Sequence, residues 1–405
     1  MTIAPFRSAR PSRLARLSQF SQRLGLLSVL VTLATVTDQL KAIAPAFAAL
    51  DLRVAIEQDV SQVMIGSSTD AVLKDASGRD VADIPAMGAL MASANGGQVN
   101  VDNRTSSLFW VEPSDDGYVF IGDKWYRGRT LVVATSGGIT AVNYVDLEEY
   151  LYSVVGGEMP ASWPLEALKA QAVAARSYAL YQRQTSANAI FDVGDTTAWQ
   201  VYEGLEDETD STRQAVSETA SQVMIYNGEI IEAVFHSSSG GHTENSEDVW
   251  SSALPYLRAV PDFDQSAPVY QWIEEFSASQ LRQRITGIGN IISMVPTETT
   301  ESGRIIQIQI TGDQGSRVMS GNELRQALNL KSSLFVAIPQ YDNVASASNT
   351  TSPPSSFQIS GRGFGHGLGM SQWGAYSLAQ QGYSYQQIVS YYYTGAQLAQ
   401  IQVEE

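Results

Sequence analysis

The chain carries only three histidines, at positions 236, 242 and 366. Each sits in a Gly/Ser-rich stretch rather than in an apolar periodic one. His236 and His242 flank Ser237-Ser238-Ser239-Gly240-Gly241, directly after the apolar run Glu229–Phe235. His366 lies within Gly361-Arg-Gly-Phe-Gly-His-Gly-Leu-Gly369, where every second residue is glycine. A strand that delivers a polar, backbone-permissive loop is a common way to build a site. The carboxylate to single out is Glu158, between Gly156-Gly157 and Met159-Pro160. Its neighbours bring no charge. A glutamate in a sparsely solvated loop keeps its proton toward neutral pH and serves as a general acid.

Other chemistries fit less well. The alternating glycines lack the Lys-Ser/Thr of a P-loop and the strand–helix–acid context of a dinucleotide fingerprint. They imply close backbone approach, to a ligand or to another strand. Ser237–Ser239 or Ser371 with a histidine and Asp248 would make a nucleophilic triad, but no Gly-x-Ser-x-Gly elbow is present. His236, His242 and an acid such as Glu244 or Asp248 match a metal site only loosely.

These residues need elements to hold them. Residues 49–145 read as β-rich, with a hairpin around Ser136-Gly137-Gly138. The stretch Ser77–Asn103 has no clear pattern. A helix is predicted over about Trp163–Gln184, with Pro164 in its first turn and a buried stripe of Leu165, Leu168, Ala172, Ala175 and Ala179. Asn227-Gly228 joins two strands of a second hairpin. Arg304–Ile310 alternates like a strand. Ser320 and Ser384 each open a helix with a capping box. Ser371–Gln381 reads as a helix closed by Gly382. Residues 345–356 read as a flexible loop, and 397–405 as a tail. The fold class expected is α+β, with a β-rich N-terminal part followed by a mixed α/β part.

Taken in order, five stretches resemble the stage II sporulation protein D family (the SpoIID/LytB domain). They are Asp146-Leu-Glu-Glu-Tyr-Leu, Val155-Gly-Gly-Glu-Met-Pro160, Glu166-Ala-Leu-Lys-Ala-Gln-Ala-Val-Ala-Ala-Arg-Ser-Tyr178, His236-Ser-Ser-Ser-Gly-Gly241 with Thr243-Glu-Asn245, and Gly361 to Ala375. The resemblance covers roughly residues 115–396, and it implies a mixed α/β domain over 146–396 whose cleft gathers Glu158, His236 and His366. It implies a peptidoglycan lytic transglycosylase that cuts between N-acetylmuramic acid and N-acetylglucosamine, on strands stripped of stem peptides, leaving 1,6-anhydro ends. The family's catalytic glutamate falls on Glu158. His236, Ser237, Ser238, Ser239, Gly240, Gly241, Gly365, His366, Gly367, Ser371, Gln372 and Trp373 are then expected to bind the glycan or shape its cleft. Trp199, Tyr202, Trp250 and Trp373 are candidates to stack on sugar faces. Lys169 and Arg176 are candidates for the muramic lactyl carboxylate. The alternative implied by the resemblance is a non-catalytic amidase enhancer that binds the wall and stimulates a separate amidase. Some members hold zinc on Cys and His in the segment matching Asp192–Gln200. Here those positions read Gly194, Ala198 and Trp199, so no metal is expected there, and no cofactor elsewhere. Sporulation itself is not implied.

Composition agrees with an exported protein. Among 405 residues there are 25 Lys+Arg against 42 Asp+Glu, a formal charge of −17. That field repels phosphate backbones, so nucleic acid is not an expected partner. There is no cysteine, hence no disulfide, thiolate or Cys-zinc chemistry. Residues 1–48 read as a secretory signal peptide or an uncleaved anchor: Arg7, Arg10, Arg13, Arg16 and Arg23, then the 13-residue run Leu24–Val36, then Ala46-Phe47-Ala48. The mature chain is expected to lack a transmembrane span and to work in the periplasm or cell wall.

Overall fold

The computed structural model describes residues 2–5, 50–250, 252–341 and 353–402. The expected leader therefore lies, but for residues 2–5, outside the described residues, as does most of the loop read at 345–356. The chain is mixed α/β and rich in strand. Among the described residues no helix is long and apolar enough to cross a membrane.

The N-terminal part is built from two sheets. One orders the strands 193–194, 51–60, 139–146, 129–134, 108–113, 71–75 and 80–84. The other orders 124–126, 119–121, 62–67, 89–95, 98–101 and 104–106. The hairpin around Gly137-Gly138 forms as expected, pairing Ala134 with Ile139. The unassigned stretch Ser77–Asn103 supplies strands 80–84, 89–95 and 98–101. Its alternating small and polar residues suit a strand with one face exposed, as at 89–95.

Two helices follow. Helix α1 (Leu147–Glu158) is capped by Asp146, whose side chain accepts from the Glu148 and Glu149 N–H groups. Helix α2 (Leu165–Thr185) has Pro164 at its N-cap, one position earlier than expected. Its Leu168, Ala172, Ala175 and Ala179 are fully buried, and the small side chains let neighbouring elements approach closely. Strands 222–226 and 229–230 form the Asn-Gly hairpin, and 222–226 also pairs with 397–402. The backbone of residues 2–5 adds to that edge. The described part of the expected tail is thus a strand, because Ala399 and Ile401 are apolar and buried there.

The apolar side chains form two separate clusters. The first spans the sheets, α1, α2 and the C-terminal helices 372–380 and 385–392. The second belongs to residues 271–362, from Trp272 to Ile359. It packs the sheet 271–277, 356–362, 335–340, the sheet 291–299, 305–312, 315–320, and helices 278–284 and 321–328. The mixed domain read over 146–396 therefore contains an inserted lobe with its own core. Both expected capping boxes, at Ser320 and Ser384, are present.

Candidate functional site

Strand 235–236 runs parallel to 370–371, pairing Phe235 with Met370 and His236 with Ser371. That pairing brings the loop after His236 against the glycine run. Gly365 has φ +114°, and a Cβ there would lie 2.7 Å from the Cβ of His236. At Gly367, φ +86°, a Cβ would lie 2.5 Å from the Arg304 guanidinium. Of the two readings of the alternating glycines, close approach to another chain segment is the one observed.

Beside this junction lies a cavity of about 360 Å³. It is lined by Glu158, Tyr178, Thr197, Ala198, Trp199, Val201, Glu232, Val234, Phe235, His236, Trp250, Arg325, Gly365 and His366. The three side chains expected to meet, Glu158, His236 and His366, do share one cavity. Glu158 is the last residue of α1 rather than part of a loop. The turn that places it is packed too closely for a side chain at Gly156, where a Cβ would lie 2.0 Å from the Asp207 carbonyl oxygen.

Glu158 Oε1 accepts the Val201 N–H at 3.0 Å, and Gln372 Nε2 donates to Oε2 at 3.4 Å. Burial raises its pKa above the ordinary glutamate value, and those two hydrogen bonds oppose the rise. Glu232 in the same cavity is also raised by burial, against a hydrogen bond from Gln182. Tyr178, between these elements, is pushed up to about 12, by burial first and then by the nearby Glu232 and Glu158.

The two imidazoles are neutral and oriented by backbone. His366 Nδ1 accepts the Leu368 N–H at 3.0 Å, so Nε2 carries the proton and donates to the Phe235 carbonyl at 3.0 Å. His236 Nδ1 donates to the Leu368 carbonyl at 3.0 Å. Its Nε2 is then a bare acceptor, buried and without a partner among the described residues. Burial, followed by the Arg304 charge, pushes His236 down to about 3. Burial also holds His366 well below its ordinary value, with His236 second. Their ring centroids are 5.2 Å apart.

Several expected site residues have their partners within the protein. Arg176 is fully buried in α2. Its Nε and Nη2 bond the Glu148 carboxylate at 2.7 and 2.6 Å, and Nη1 donates to the Gln222 carbonyl at 3.1 Å. It pins α1 to α2, enclosed by Glu148 and by the Gln222 and Val216 carbonyls. Ser238 Oγ donates to Asp264 and Ser239 Oγ to Asp262, each at 2.5 Å. The Gly240 N–H also bonds Asp264, at 2.8 Å, and the Gly241 carbonyl accepts the Asp262 N–H. Ser237 is half-buried and its carbonyl accepts the Trp373 N–H. Ser371 caps helix 372–380. No serine hydroxyl bonds a histidine among the described residues, so the triad has no nucleophile–base pair. Trp373 packs on Trp163 and Tyr376, and Tyr202 on Tyr150 and Tyr126; neither lines the cavity. Trp199 and Trp250 do. Lys169 pairs with Glu166 and Glu218.

His242 lies elsewhere, beside Glu244, Asn245 and Asp248, its Nδ1 donating to the Thr243 carbonyl. Among the described residues no group of three or more His, Asp or Glu is arranged to hold a metal. Segment 192–200 does not fit zinc: Asp192 is bound by Arg53, and the segment holds neither Cys nor His. Glu232, Tyr178 and Arg325 also line the cavity, beyond the residues expected there. Tyr178 closes the motif Glu166–Tyr178, whereas a lone glutamate beside a strand and an arginine on a distant helix carry no local signal.

A family model described as stage II sporulation protein matches residues 135–226, the stretch that holds α1, Glu158 and α2. A second, described as a domain of unknown function, matches 253–369, which spans the inserted lobe and the glycine run. An uncharacterized protein of Brachyspira hyodysenteriae is 33% identical over 299 residues, covering 71% of this chain and 76% of that one. Stage II sporulation protein D of Bacillus subtilis is 33% identical over 284 residues, 64% of this chain and 76% of that one. The amidase enhancer of Bacillus subtilis is 34% identical over 293 residues, 61% of this chain and 40% of that one. The expected motifs, the cavity they surround and two relatives matched over three quarters of their length agree: this chain belongs to the stage II sporulation protein D family.

Proposed function

We propose that the chain is a peptidoglycan lytic transglycosylase, with Glu158 as general acid and then general base. The observation that carries this reading is Glu158 itself: a half-buried carboxyl in the cavity wall whose pKa is raised by burial. Cleavage of a glycosidic bond needs a proton on the leaving oxygen and passes through an oxocarbenium-like state. Oε1 is occupied by the Val201 N–H, so Oε2, with only its longer Gln372 contact, is the oxygen to carry the proton. After bond cleavage the Glu158 carboxylate takes the proton of the muramic 6-hydroxyl as that oxygen closes the 1,6-anhydro ring. One carboxyl suffices, because no water needs activating. Acid–base help of this kind contributes about 10²–10⁴-fold.

The neighbours suit a sugar. The bare Nε2 of His236 can accept from a hydroxyl or an acetamido N–H, and Trp199 and Trp250 offer apolar faces. Export to the periplasm or cell wall goes with this reading. The resemblance to an amidase enhancer favours one alternative, a module that binds the wall and leaves cutting to an amidase. The test is digestion of purified glycan strands with wild type and Glu158→Gln, with mass spectrometry of the products. Anhydro-muramic ends from the wild type and none from the variant are expected. Binding without cleavage by the wild type selects the enhancer reading.

A further inference from the structure

We infer that Arg325, supplied by the inserted lobe, is the specificity residue that recognises the free lactyl carboxylate of a muramic residue lacking its stem peptide. The inference rests on the glycan reading above and adds to it a residue and a role for the second lobe.

Arg325 is the single arginine or lysine among the residues that line the Glu158 cavity. Both histidines there are neutral, so it is also the cavity's cation. Arg325 sits on helix 321–328, whose Leu324 and Leu328 are buried in the lobe's own core. That burial fixes the face from which Arg325 extends. Its Nε donates to the Lys331 carbonyl at 3.2 Å, and the Gly365 N–H donates to the same carbonyl at 3.0 Å. One carbonyl therefore holds the arginine beside the glycine run that carries His366.

Its charge is not spent within the protein. Nη1 has a 3.5 Å contact to Asn322 Oδ1, and among the described residues Nη2 has no hydrogen bond and no carboxylate lies within 4.0 Å. The other arginines near the site differ. Arg176 pairs with Glu148, and Arg304 pairs with Glu244 at 3.2 Å, both almost fully buried. A partly desolvated guanidinium without an acid is costly, and a carboxylate ligand relieves that cost. Its planar fork matches a carboxylate with two parallel N–H···O bonds. On a peptide-bearing muramic residue the lactyl carboxyl is an uncharged amide. Removing the peptide exposes a carboxylate beside the glycosidic bond.

The experiment compares three strands: peptide-free, peptide-free with the lactyl carboxyl converted to its amide, and peptide-bearing. Cleavage by wild type, Arg325→Gln and Arg325→Lys is measured on each. Binding of each strand to Glu158→Gln, with and without Arg325→Gln, is measured in parallel. Wild type should prefer the free carboxylate on the order of 10–100-fold, the scale of hydrogen bonds to a charged group. Arg325→Gln should lose that factor on the peptide-free strand and nothing on the amidated one, with Arg325→Lys between. Equal losses on both strands, or none, overturn the inference. An Arg325-dependent preference for peptide-bearing strands also overturns it, by placing the carboxylate in the stem peptide. If wild type cleaves nothing, the transglycosylase reading fails, while binding to Glu158→Gln still decides Arg325. Unchanged thermal unfolding of Arg325→Lys guards against loss of fold.

Discussion

Gly156→Ala separates helix propensity from packing. Gly156 lies in α1, two residues before Glu158. In an exposed helix interior, alanine for glycine gains about 1 kcal/mol. Here the added Cβ would lie 2.0 Å from the Asp207 carbonyl oxygen and 3.0 Å from its carbon. Ordinary contact is about 3.5 Å, so the backbone must open by about 1.5 Å. Overpacking of this kind costs about 1–3 kcal/mol, and a backbone neighbour that cannot rotate away puts it at the upper end. Set against the propensity gain, the net loss is about 2 kcal/mol. The strain falls on the 204–207 turn, shortly after Val201, whose N–H orients Glu158. A displacement of about 1 Å at a catalytic group costs on the order of 10²-fold in rate. Urea unfolding followed by far-UV circular dichroism gives the stability, and glycan digestion gives the rate. A variant as stable as the wild type, or more so, would falsify the account of why α1 ends in Gly-Gly-Glu.

The other predictions concern the scaffold and the proton. Arg176→Ala removes one partner of a pair whose arginine is fully buried and whose Glu148 is a quarter exposed. Stability should fall by about 3 kcal/mol, the low end for a broken buried pair, and strand binding by the folded fraction should be unchanged. Loss of binding without loss of stability would restore Arg176 as a ligand group. Cleavage should fall on the alkaline side as pH rises through the raised pKa of Glu158, because the acid must hold its proton. The folded state binds that proton more tightly than the unfolded chain. Stability should therefore decline between the ordinary glutamate value and the raised one, and Glu158→Gln should flatten the decline. A stability profile for Glu158→Gln that matches the wild type would mean that Glu158 is solvated.

Short-range features were legible in the residues alone. Both capping boxes, the Asn227-Gly228 turn and the stripe along α2 depend on neighbours within a few positions, so their chemistry survives any tertiary arrangement. The meeting of Glu158, His236 and His366 is implied by the family motifs, and the parallel pairing of Phe235 with Met370 brings the two histidines together. Other outcomes hang on residues far apart in sequence. Gly156-Gly157-Glu158 looks like a loop until Asp207 packs against it. Arg176 looks like a ligand group until Glu148 and the Gln222 carbonyl enclose it. Glu232 and Arg325 show no local pattern, and they become site residues only because a strand end and an inserted lobe open onto one cavity. Burial and charge pairing are properties of neighbours in space. Sequence determines them only through the whole fold, whereas caps, turns and periodicity it determines directly.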